Sequence, residues 1–111
     1  VFENLGMTAV QLGQREQAKE YLQRALRLSS RQPRALLEMA AMSYEDKEYV
    51  PARAYYDSYS EIAPQNARSL LLGARLANVF EDRDTAASLG LQLRRLYPAS
   101  QEYQQFVSGQ Q

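Results

Sequence analysis

The sequence predicts an all-α solenoid of three helical hairpins closed by a C-terminal capping helix. Three observations carry this: a repeat of 34 residues, helical periodicity within each repeat, and turn chemistry where the periodicity breaks. At a spacing of 34, Ala18, Ala52 and Ala86 fall in register, followed by Leu28, Ile62 and Leu96, and then by Pro64 and Pro98. Gly6, Ala40 and Ala74 form a small column, whereas Phe2, Leu36 and Leu70 form a large apolar one. No insertion interrupts the register, so one supersecondary unit is repeated and stacked.

The elements follow in chain order. Phe2, Leu5, Gly6, Ala9 and Leu12 recur at i, i+3 and i+4 spacing and predict a helix over 1–12 that ends at Gly13-Gln14. Ala18, Leu22, Ala25, Leu26 and Leu28 do the same for 15–29. The register then places helices at 33–46 and 49–63, separated by Glu45-Asp46-Lys47, and at 67–80 and 83–97, separated by Glu81-Asp82-Arg83-Asp84. Acidic residues at these breaks suit helix N-termini, where the macrodipole is positive. Pro51 falls in a first turn, where its missing N–H costs nothing, while Pro33, Pro64 and Pro98 are assigned to the links between hairpins. A short capping helix is expected near 100–108. The repeats run over about 1–32, 33–66 and 67–98, with the cap at 99–111, in one domain spanning 1–111.

The alanine column has a physical cause: a methyl side chain lets the two helices of a hairpin approach closely while larger neighbours fill the gaps. The third repeat departs from the pattern. Gly73 stands where its counterparts are Leu5 and Met39, and Gly90 where they are Leu22 and Tyr56. Each glycine costs a helix interior about 1 kcal/mol relative to alanine, so a packing or functional reason is expected.

Composition narrows the function. Hydrophobic residues make up 45% of the 111 residues and charged residues 23%, the balance of a folded globular chain. Thirteen Lys and Arg offset thirteen Asp and Glu, which argues against nucleic acid, whose binding rests on phosphate neutralisation. No apolar run approaches the ~18 residues of a transmembrane helix. The chain opens at Val1 inside an apolar-periodic segment and reads as a piece of a longer protein. Without Cys, disulfides and thiolate metal sites are excluded, and cysteine usage does not fix the compartment.

The same inventory argues against catalysis. There is no His and no Cys, which removes the commonest general base, the thiolate nucleophile and most transition-metal ligand sets. The acidic groups Glu45, Asp46, Glu48 and Glu81, Asp82, Asp84 cluster at turns, where solvated charge is ordinary. Asp84-Thr85 lacks a base placed to activate the hydroxyl, and no glycine-rich phosphate loop is present. No catalytic residue, cofactor or metal is therefore expected. Tyr49, Tyr55, Tyr56 and Tyr59 could offer a stacking platform, but Tyr56 and Tyr59 share columns with Leu22 and Ala25 and are read as packing positions.

The 34-residue spacing, with its small, aromatic and terminal-proline positions, is the tetratricopeptide signature. Such solenoids present the first helix of each hairpin on a concave face. The groove residues expected there are Arg34, Leu37, Ala41, Tyr44 and Glu45 in repeat two, and Arg68, Leu71, Arg75 and Asn78 in repeat three. Exposed Leu37, Leu71 and Tyr44 would form an apolar patch suited to an extended peptide or a helix with polar edges. Residues 33–66 carry 6 acidic and 3 basic groups, against 3 and 5 in each of 1–32 and 67–98. That alternation either holds neighbouring repeats together or patterns the binding surface.

A closer resemblance rests on Gln65-Asn66-Ala67-Arg68-Ser69-Leu70-Leu71-Leu72-Gly73, Arg75-Leu76-Ala77 and Val79-Phe80-Glu81-Asp82-Arg83-Asp84-Thr85-Ala86-Ala87-Ser88. Ala18-Lys19-Glu20-Tyr21, Glu48-Tyr49-Val50-Pro51-Ala52-Arg53 and Leu96-Tyr97-Pro98 support it. Across nearly its whole length the chain resembles the type IV pilus biogenesis lipoproteins, the PilF/PilW pilotin family. The resemblance implies a periplasmic protein, tethered to the outer membrane by an N-terminal lipid, that helps the pilus secretin localise and assemble. The family's lipidated cysteine and N-terminal repeats have no counterpart in these residues, so membrane association is expected only through an anchor absent from this chain. The alternative is a general adaptor or co-chaperone repeat that grips a peptide in its groove, for which Arg34, Arg68, Arg75 and Asn78 supply part of a carboxylate clamp.

Overall fold

A computed structural model describes residues 1–109. Among the described residues the elements are α1 (Phe2–Gln11), α2 (Arg15–Leu28), α3 (Pro33–Glu45), α4 (Tyr49–Ile62), α5 (Ala67–Val79), α6 (Arg83–Leu96) and α7 (Gln101–Gly109). Each lies within a residue or two of its expected span; the last two residues of the expected cap, 110 and 111, fall outside the described part. Pro33 opens α3 rather than lying in the link before it, a first-turn position that needs no N–H.

The first compact unit is Val1–Ala63. Hairpins α1–α2 and α3–α4 each pair along their length, and α3 packs back on both α1 and α2. Ala9, Ala18, Leu22, Ala35, Met39 and Met42 form its core, with Tyr21, Leu26 and Tyr55 packed against it. Tyr56 and Tyr59 are buried, as packing positions should be. The second unit is Pro64–Gln111, described to Gly109. Here α5 pairs with α6 and α7 lies on both, around Leu70, Leu71 and Leu93.

Ala18, Ala52 and Ala86 are buried at their columns. The Leu28, Ile62 and Leu96 column has a different role from the helical stripe in which Leu28 was placed. These residues close α2, α4 and α6, and Leu28 and Leu96 are exposed, because the chain turns away just beyond them.

The turn inside each hairpin repeats to the atom. Gly13, Lys47 and Glu81, 34 residues apart, all adopt the left-handed conformation with φ of 74°, 62° and 59°. At each, two backbone N–H groups return to the preceding helix: Gly13 to Val10 and Gln14 to Ala9, Lys47 to Tyr44 and Glu48 to Ser43, Glu81 to Asn78 and Asp82 to Ala77. These are Schellman closures, which satisfy the last carbonyls but strain any residue other than glycine. Lys47→Gly should therefore stabilise the protein by about 1 kcal/mol, and Gly13→Ala, with nothing within 4 Å of its added methyl, should cost a similar amount for backbone reasons alone. Denaturant midpoints of the two variants should move in opposite directions.

Positions 32, 66 and 100, one in each link after a hairpin, carry side chains that bond nearby backbone. Gln32 Nε2 donates to the carbonyls of Ala25 and Ser29. Asn66 and Ser69 form a reciprocal capping box at the start of α5. Ser100 Oγ accepts from the Tyr103 N–H, capping α7. The column thus continues into α7, which occupies the place of the first helix of a following repeat.

Candidate functional site

The first helices α3 and α5 carry the expected groove residues. On α3, Arg34 and Glu45 are exposed, Ala41 and Tyr44 half-buried, and Leu37 only 7% exposed. On α5, Arg68, Arg75 and Asn78 are exposed, while Leu71 is 5% exposed. The expected apolar patch is therefore not formed by Leu37 and Leu71. Residues Ala35–Ala40 are all buried, so α3 is enclosed around most of its circumference and no apolar side chain there is left over. Leu71 belongs to the core with Leu70 and Leu93, against which Tyr97, Tyr103 and Phe106 pack. What α5 offers solvent is cationic and amide-bearing, at i, i+7 and i+10 spacing.

In the first unit Arg34, Tyr44 and Glu45 already have partners. Arg34 lies 3.7 Å from Glu3 of α1. Tyr44 meets Tyr49 edge to face at 5.7 Å. Glu45 accepts from Arg15 Nη1 at 3.1 Å.

That last bond is part of a larger clamp that sequence reasoning did not place. Arg15 Nη2 donates to the Met42 carbonyl at 2.8 Å and to Asp46 Oδ1 at 2.7 Å, and Lys19 Nζ bonds Asp46 and lies 3.5 Å from Glu48. The acidic turn of repeat two is thus held by the second helix of repeat one. The signal was the acidic middle segment, which the structure resolves, for this turn, in favour of adhesion between repeats. Lys19, and then Arg15, hold the Asp46 carboxyl below its ordinary value, and the same bonds raise Lys19 and Arg15 above theirs. A depressed carboxylate contributes stability that is present above its unfolded value, near 4, and is lost as pH falls through the folded one. Asp46→Asn should therefore be less stable than wild type at pH 7, with the gap closing below about pH 4 and shrinking in high salt. Denaturation midpoints across pH 2–7 check this.

Among the described residues no group of three or more carboxylates could hold a metal ion, and no helix is long and apolar enough to cross a membrane.

A tetratricopeptide-repeat family model matches residues 1–32. Over 106 residues the chain is 62% identical to the type IV pilus assembly protein PilF of Pseudomonas aeruginosa, covering 96% of this chain and 42% of that protein. A solved structure of Pseudomonas aeruginosa PilF superposes with a TM-score of 0.94 at 61% identity, over 96% of this chain and 48% of that one. Over nearly its whole length the chain is similar to PilF, a tetratricopeptide protein of type IV pilus assembly. A structure of PilW, described as a widely conserved type IV pilus biogenesis factor, matches with a TM-score of 0.75 at 28% identity, over 96% of this chain and 49% of that one. The chain spans less than half the length of these relatives, and its fold is the all-α tetratricopeptide solenoid.

Proposed function

We propose that this PilF-type chain is a non-catalytic, protein-binding scaffold of the pilotin kind, assisting outer-membrane localisation and assembly of the type IV pilus secretin. The observation that carries the reading is 62% identity to PilF over 96% of the chain. The work is equilibrium binding: a secretin segment is captured on the repeat surface and shielded until subunits assemble. The exposed polar face of α5, with Arg68, Arg75 and Asn78, is the candidate contact, and Leu71 supports it from the core of its own unit. The three repeats and the cap are read as one binding domain within a longer protein at the periplasmic face of the outer membrane. Attachment there is supplied by a lipid group.

The test is a pull-down of purified secretin periplasmic domains by this chain and, in parallel, by a full-length PilF-type protein. Capture by both is expected, with loss on Arg68→Glu/Arg75→Glu. Capture by the full-length protein alone would make this chain a buttress, and capture by neither would falsify direct contact.

A further inference from the structure

A groove of about 280 Å³ lies between α6 and α7, lined by Ala87, Leu91, Arg94, Tyr103, Phe106 and Val107. Leu91 and Val107 stand 52% and 51% exposed beside it. Arg83, Ala87, Gly90, Leu91 and Arg94 follow one stripe of α6 at i, i+4, i+7, i+8 and i+11. The 34-residue register equates that stripe, two repeats on, with Arg15, Lys19, Leu22, Gln23 and Leu26 of α2.

On α2 the stripe is covered by the next repeat. Leu22 packs with Ala35 and Met39, Leu26 shares a shallow groove with Tyr55 of α4, and Arg15 and Lys19 hold Glu45, Asp46 and Glu48. On α6 only part is covered. Phe106 of α7 fills the space over Gly90, whereas Leu91 and Val107 stay half exposed. Arg94 is the one charged side chain lining the groove, and among the described residues no carboxylate pairs with Arg83 or Arg94.

We propose that this groove is an interaction surface for an amphipathic helix with an acidic polar face, presented by a partner protein and seated along α6 beside α7. The apolar side of that helix meets Leu91, Val107 and Tyr103. Arg83 and Arg94 lie about 16 Å apart along the helix axis, so they receive carboxylates three turns apart. Bracketing an apolar stripe with cations favours such a helix over a basic one and sets its position. The inference concerns a surface separate from the α5 face and does not depend on the secretin reading.

The probes are three 18-residue helical peptides sharing one apolar stripe and differing only in polar residues: glutamate, glutamine or lysine. They are titrated into the 111-residue chain with NMR detection of the Leu91 and Val107 methyls and the Tyr103 and Phe106 rings. The glutamate peptide should perturb these groups and bind about tenfold more tightly than the lysine peptide. Leu91→Glu, at an exposed position that leaves the helical circular dichroism intact, should abolish the response, and Arg94→Glu should reverse the order of peptides. Equal affinities, perturbation elsewhere, or no response at millimolar peptide would overturn the proposal. So would dilution-dependent signals without peptide, which assign the groove to a second copy. Silence of the same groove in the full-length protein would assign it to that protein's own further chain, also against the proposal.

Discussion

Gly90→Leu is expected to destabilise the protein by about 1–3 kcal/mol, although it removes a glycine from a helix interior, which on propensity alone gains about 1 kcal/mol. A Cβ at this position would stand 2.3 Å from Cζ of Phe106 and 2.7 Å from its Cε2. The ring occupies the space that Leu22 and Tyr56 fill with their own side chains in the earlier repeats. The glycine is thus the seat of α7, and a larger side chain has to expel the helix. Hydrogen exchange of residues 101–109 should accelerate while α1–α4 keep their protection. Phe106→Ala leaves the seat empty and should cost about 2–3 kcal/mol, the low end for a truncated phenylalanine because this ring is only half-buried. In the double variant the introduced leucine side chain can fill the vacated space, so the combined loss should fall short of the sum of the single losses by at least about 1 kcal/mol. A neutral Gly90→Leu with α7 still protected would show that Phe106 has somewhere else to go.

The repeat made the fold legible. A 34-residue register fixes both periodicity and punctuation, so all the helix spans could be placed from columns of small and large residues. The identity of a column does not say which way it points, however. Leu37 and Leu71 were read as surface because the repeat's register assigns them to the concave face of a first helix. Yet α3 is apolar around most of its surface, and Tyr97, Tyr103 and Phe106 gather on the core that Leu71 joins. Enclosure of that kind is set by elements distant in sequence. The left-handed column shows the same limit: Gly13 announces a positive φ, whereas Lys47 and Glu81 take it only because the Schellman bonds on either side impose it. The acidic excess of residues 33–66 was visible as a charge pattern, but the partners of Asp46 lie 27 and 31 residues away. Gly90 signalled a missing side chain without naming Phe106 as the replacement. The functional face was least legible of all, since a solvated Arg and Asn face carries no chemistry of its own and acquires meaning only from a partner.

The other large effect expected lies in the first unit. Leu22 is fully buried among Ala18, Ala35 and Met39, at the junction of α2 with α3. Leu22→Ala should cost about 3 kcal/mol, the transfer of the lost methyl groups plus the cavity left behind, which for a chain of this size lowers the thermal midpoint by roughly 10 °C. Repeat proteins distribute stability between nearest neighbours, so the loss should appear as faster exchange in α1–α4, with α5–α7 affected less. A second substitution tests the cause. A Cβ added at Gly6 would meet Leu22 Cδ2 at 2.6 Å and Cγ at 2.7 Å, so Gly6→Ala alone is strained. With Leu22 truncated, both of those contacts vanish, and the next neighbour, the Leu22 backbone nitrogen, stands at 3.3 Å. Gly6→Ala should then gain helix propensity and refill part of the cavity, so that the double variant is more stable than Leu22→Ala by about 1 kcal/mol. Columns 6 and 22 would in that case exchange volume across the hairpin, as column 90 does with α7 at the other end of the chain. Strict additivity of the two substitutions would place the loss at Leu22 in its contacts with α3 alone.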